Sequence, residues 1–199
     1  MKAYIQGTVD YFCAVYAAMN ACRAAARRQK RLTYDEGCAF YQHLIDFLLD
    51  NDLFRKMLHH GTDYETFERI LNQAVAYMGE KHAVFLTWQR PFAHTDAALP
   101  DLLNKVRAHL QRPETSCVLR IHSRAIGDHW TAAQSVGRTK INLADSYGFD
   151  ALPVDKIRYA PRKPVVVRED GAPTGFQPPK DSGIYLIKKG VFLLKSPQK

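Results

Sequence analysis

Tyr11-Phe12-Cys13-Ala14-Val15-Tyr16-Ala17-Ala18-Met19-Asn20-Ala21-Cys22-Arg23-Ala24-Ala25-Ala26 is apolar or small at almost every position. A helix that is apolar all round is a buried helix, so the rest of the chain must pack around this one. Asp10 is placed to cap its start, which puts Cys13 within the first turn.

Working outward, the helical period continues. Thr33-x-x-Glu36 reads as a capping box opening a helix to about Asp50, with Phe40, Leu44, Phe47 and Leu48 on one face. Leu53 to His60 reads as a short helix stopped by Gly61, and Thr62-x-x-Glu65 as a second capping box. Its helix carries Phe67, Ile70, Leu71, Ala74, Val75 and Met78, with Gly79 as the stop. Beyond Gly79 the period changes. Ala83–Trp88 reads as a strand, and Pro100 opens a helix to about Gln111. Strands follow at Ser116–His122, His129–Val136 and Lys140–Asp145, the last two joined by a turn at Gly137-Arg138. Residues 161–182 read as a long loop with one strand at Val165–Val167. Ile184–Ile187 and Val191–Leu194, around Lys188-Lys189-Gly190, read as a closing hairpin.

The expected class is α+β, with a helical N-terminal half packed against a mostly antiparallel β-sheet C-terminal half. One domain over 1–199 is expected: 1–112 mainly helical, 113–199 mainly β with a basic C-terminal hairpin. The 199 residues are 46% hydrophobic and 24% charged, an ordinary globular balance that excludes collagen, a disordered chain and a disulfide scaffold. No apolar run approaches the roughly 18 residues of a membrane span. Met1–Gly7 lacks the apolar core of a secretory signal, so a cytoplasmic chain with reduced thiols is expected.

The net charge is +8. Residues 151–199 hold ten Lys/Arg and four Asp/Glu, a net of +6, leaving 18 and 16 for the first 150. A second basic cluster is Arg23, Arg27, Arg28, Lys30 and Arg31. Such clusters suit nucleic acid, anionic lipid or an acidic partner, or simply form a solvated face; no nucleic-acid-binding motif sits on them. The cysteines form no C-x-x-C pair and no Gly-rich phosphate loop is present, so neither metal nor cofactor is expected. His59-His60 beside Asp63 suits a helix C-terminus better than a metal.

Four residues carry chemistry. Free N–H groups and the positive dipole end at a helix start favour a thiolate, which makes Cys13 a candidate nucleophile as well as a small core residue. Cys22, Cys38 and Cys117 lie in apolar segments and read as buried hydrophobes. His129 stands where a loop enters a strand, in Gly127-Asp128-His129-Trp130, reachable from outside. The returning strand ends in Asp145-Ser146. A three-residue loop sets His129 opposite Asp145; a two-residue loop sets it opposite Ser146 with Asp145 facing away; a bulge changes either outcome. In the favourable register Asp145 orients His129 and stabilises its charged form. Gln6, ahead of Cys13, offers an amide beside the Cys13 N–H.

The order Gln6, Cys13, His129, Asp145, with the small-residue run Ala14–Ala21, the lead-in Leu102–Leu110 and Cys117–Ile121, and Gly127-Asp128-His129-Trp130, resembles the papain-like cysteine peptidase superfamily. The nearest likeness is to its compact bacterial C39-like type, over about residues 4–148. The resemblance implies Gln6 as the oxyanion residue, Cys13 as nucleophile, His129 as base and Asp145 as the orienting carboxylate. It implies a papain-like fold and a peptide or protein substrate. Deamidases and acyltransferases use the same residues, and an inactive papain-like module whose basic tail engages an acidic protein or nucleic acid is the non-enzyme alternative.

Overall fold

The structure, a computed structural model, describes residues 3–4, 12–123, 126–159 and 183–197. Asp10, Gln6 and the strand expected at Val165–Val167 lie outside them. The apolar run forms α1 (Cys13–Ala26), buried along most of its length and packed on helices and strands alike. Its alanines leave room for close approach on every side.

Around it stand α2 (Tyr34–Asp50), α3 (Leu53–His60), α4 (Tyr64–His82) and α5 (Leu99–Leu110). The first capping box is as expected: Thr33 Oγ1 accepts from the Glu36 N–H at 3.2 Å, and Glu36 Oε2 from the Thr33 N–H at 2.7 Å. The second falls one residue later. Asp63, not Thr62, caps α4, accepting from the Thr66 N–H at 2.8 Å, and it also pairs with Lys56 at 2.7 Å. Gly79 does not stop α4. A mid-helix glycine costs only about 1 kcal/mol, and the turn closes at Ala83 instead, with φ 54° and its N–H on the Gly79 carbonyl.

The strands are β1 (Thr87–Gln89), β2 (Thr115–Ser123), β3 (Gly127–Val136), β4 (Lys140–Ala144), β5 (Ala151–Pro153), β6 (Ile157–Tyr159) and β7 (Ile184–Lys195). β1 is shorter than the strand expected at Ala83–Trp88. The sheet order is β1-β7-β2-β3-β4-β5; β6 also pairs β7, and that pair alone is parallel. Alternation splits the core. Val118, Trp130, Ala132 and Phe192 join α1–α4, while Leu119, Ile121, Ala133 and Leu193 join α5.

The closing hairpin is not formed: Ile184–Lys195 is one strand inside the sheet. β2 runs beside both halves of it, pairing Leu119 with Val191 and Ile121 with Leu186, so Ile187–Gly190 stand against Arg120 alone. The Lys188-Lys189-Gly190 signal marks a bulge rather than a reversal. Gly190 permits it, since a Cβ there would lie 2.3 Å from that of Arg120. Because β7 sits between β2 on one side and β1 and β6 on the other, truncation after Asp181 should remove a central strand. The expected outcome is loss of the cooperative thermal transition; a truncated protein melting as the full chain does would contradict it.

Candidate active site

Cys13 is the first residue of α1 and is partly exposed. Buried Phe12 precedes it, its ring 5.1 Å from that of Phe54 on α3, which fixes where the helix begins. Helix N–H groups without intrahelical partners gather at this point.

His129 and Asp145 meet because of a bulge. The turn falls at Arg138-Thr139, with Gly137 N–H on the Lys140 carbonyl at 2.8 Å, not at Gly137-Arg138. Beside it Val136 pairs Ile141 and Ser135 pairs Asn142; the register then shifts, and Ala133 pairs Leu143 and Ala132 pairs Ala144. The loop is two residues long, one of the two expected lengths, but it sits one residue later than expected. Continued straight, the first register would turn Asp145 away from His129. The extra residue, Gln134, restores the parity and puts Asp145 across from Thr131, on the side of His129. His129 Nε2 and Asp145 Oδ2 are 2.6 Å apart. Asp145 Oδ1 accepts the N–H groups of Tyr147 at 2.8 Å and Phe149 at 3.3 Å. With Nε2 committed to Asp145, Nδ1 is the nitrogen left for Cys13, which lies close enough to help raise the His129 pKa.

His129 is not open to solvent as the sequence suggests. It is 4% exposed and Asp145 3%, with the rings of Tyr147 and Phe149 edge-on at 6.2 and 6.3 Å. Burial works against the imidazolium, but the hydrogen bonds and charges of Asp145 and Cys13 outweigh it and lift the His129 pKa to about 9. Burial likewise opposes the Asp145 carboxylate, and His129 overcomes that penalty and holds its pKa below the usual value. The pair is therefore ionised at neutral pH, with the imidazolium facing the sulfur.

The other cysteines divide differently from expectation. Cys22 and Cys117 are buried, and burial pushes both thiols up, Cys22 to about 12. Cys38 is exposed on α2, because it lies off the Phe40–Leu44–Leu48 face. His59 and His60 end α3, and no metal-binding group of three or more side chains occurs among the described residues. Among them, too, no helix is long and apolar enough to cross a membrane.

Sequence reasoning missed Asn20. Fully buried on α1, its Oδ1 accepts the Tyr4 N–H at 3.0 Å, and its Nδ2 donates to the carbonyls of Tyr4 and Ala144, each at 3.3 Å. One amide thus ties the helix of Cys13 to the strand end preceding Asp145 and to the N-terminal segment. The only visible signal was a lone amide in an otherwise apolar run. Asn20→Leu strands these backbone groups at about 1–3 kcal/mol each. A destabilisation of about 2–4 kcal/mol is expected in denaturant unfolding; a change within about 0.5 kcal/mol would remove Asn20 from this role.

No protein-family model matches the chain, and no curated protein matches it. Among solved structures, the crystal structure of the Pseudomonas avirulence protein AvrPphB is similar to it, with a TM-score of 0.34 and 12% identity over 77% of this chain and 80% of that one. At that TM-score the likeness decides neither fold nor chemistry.

Proposed function

We propose that this protein is a papain-like thiol hydrolase, a cysteine peptidase that cleaves an amide bond of a peptide or protein through an acyl-enzyme on Cys13. The supporting observation is the relay from Asp145 through a buried, charged His129 to a sulfur at a helix start. The Cys13 thiolate attacks the carbonyl carbon. The C=O π electrons move to oxygen, and the Cys13 N–H stabilises that oxyanion, with Gln6 as the second donor the family resemblance implies. As the intermediate collapses, the C–N bond breaks and His129 gives its proton to the departing amine. Water then attacks the thioester, His129 taking one of its protons, and the acid leaves as the thiolate reforms. Asp145 keeps the imidazole oriented throughout.

p-Nitrophenyl acetate tests the acyl step without knowledge of the natural substrate. The protein should release a burst of about one nitrophenolate per chain and carry an acetyl group on Cys13. Cys13→Ala should abolish both, and neither signal in the wild type would sink the reading. Labelled casein then separates the outcomes: new peptide termini mark a peptidase, whereas ammonia release or amine incorporation moves the assignment to a deamidase or acyltransferase on the same residues.

A further inference from the structure

The other end of α1 carries a second feature, which the proposed chemistry does not use. After Ala26 the chain makes a tight turn, with the N–H groups of Gln29 and Lys30 both on the Ala26 carbonyl at 2.8 and 2.9 Å. Gln29 Nε2 anchors it to Ser196 Oγ at 2.6 Å. The turn presents Arg27 and Arg28, with Arg31 just beyond, all exposed. Arg112, far away in sequence, joins Arg27 and Arg28 on the rim of an adjoining cavity of about 110 Å³. Arg23, Arg27, Arg28, Lys30 and Arg31 line a cleft of about 850 Å³.

The charges are unequally matched. Lys30 pairs with Glu36 at 2.6 Å, Arg23 stacks on the Tyr4 ring at 3.7 Å, and Glu114 shares the rim with Arg112. Arg27, Arg28, Arg31 and Arg112 make no ion pair among the described residues. Like charges held this close repel one another, and the negative dipole end of α1 offsets only part of that repulsion. Guanidinium groups on a pinned turn suit oxyanions carrying several charges, because each offers a planar fork of donors already in place. The cluster lines a cleft, which fits a compact ligand better than an extended duplex.

We infer that the cleft at the C-terminal end of α1 is a binding site for a compact, multiply phosphorylated anion, held by Arg27, Arg28 and Arg31 with Arg112 at its rim. The site lies a helix length, about 20 Å, from Cys13 and is independent of the thiol chemistry.

Inorganic tripolyphosphate is the probe, titrated calorimetrically into the full chain at physiological salt. Saturable binding is expected. The triple variant Arg27→Glu, Arg28→Glu, Arg31→Glu should weaken it by about a hundredfold or more, each lost charged hydrogen bond being worth about a factor of ten. A control, Arg55→Glu on α3, whose Phe54 ring packs on Phe12 at the opposite end of α1, should bind as the wild type does. Retained Cys13 alkylation and thermal transition show that the triple variant is folded. Vesicles of phosphatidylcholine with phosphatidylinositol bisphosphate separate the sources: variant-sensitive co-sedimentation marks a lipid headgroup, and its absence beside tripolyphosphate binding marks a free anion. The proposal is overturned by no saturable tripolyphosphate binding, by equal loss in the Arg55→Glu control, or by binding only to an oligonucleotide. No arm reads turnover, so the result stands apart from the peptidase assignment.

Discussion

Asp145→Ala should lower turnover by about a hundredfold or more while Cys13 stays in place. The substitution removes the acceptor at His129 Nε2 and the negative charge beside it. Burial, which already opposes the imidazolium, then dominates, and the His129 pKa should fall well below about 9. Asp145→Asn separates two contributions. Its single oxygen stays on the Tyr147 and Phe149 amides, so its NH2 faces His129 Nε2 and donates to it, which keeps the shape but fixes the imidazole with its proton on Nδ1, the side of Cys13. Its activity should therefore be as low as that of Asp145→Ala, while its stability stays nearer the wild type. An unchanged rate in Asp145→Ala would remove the carboxylate from the mechanism. Asn142 is a poor substitute, since its amide is engaged with Ser135 at 2.7 Å.

The same pair sets a pH dependence of stability. The His129 pKa is raised on folding from 6.5 to about 9, so its contribution is fully present below about pH 6.5 and is lost as pH rises through about 9. The Asp145 pKa is lowered, so its contribution is present above the ordinary carboxylate range and lost as pH falls through the folded value. Both describe one interaction and are counted once. Thermal unfolding across pH 6.5 to 9 should show the alkaline loss in the wild type and a flatter profile in Asp145→Ala.

Alkylation with iodoacetamide at about pH 6 should modify Cys13 ahead of every other cysteine. At that pH an ordinary thiol, pKa about 8.5, is almost wholly protonated and reacts slowly. Cys13 is partly exposed at the first residue of α1, with His129 at hand to take its proton as it reacts. Cys22 and Cys117 are shielded by burial, so exposed Cys38 is the internal comparison that matters. A Cys13 to Cys38 rate ratio of about ten or more is expected, collapsing in His129→Ala. Mass-spectrometric mapping reads both rates in one sample. Equal labelling of Cys13 and Cys38 in the folded wild type would end the nucleophile assignment and favour a binding module.

The sequence by itself determined which segments are helices and which are strands wherever the signal was local. An apolar-all-round run can only be a buried helix, and Thr33-x-x-Glu36 closes its own capping contacts. It also singled out Cys13, His129 and Asp145, because a helix start, a strand entry and a strand exit are visible in residue types. Tertiary structure alone decided the rest. Lys188-Lys189-Gly190 has the composition of a turn, yet it is a bulge, because β2 offers a pairing edge to both halves of β7. Cys38 sits in an apolar stretch, yet it is exposed, because packing takes only one face of α2. The meeting of Asp145 with His129 depends on the parity of one extra residue in β3, and no local propensity at Gln134 encodes that shift. Pairing register is a property of two strands at once, set by what each face must bury.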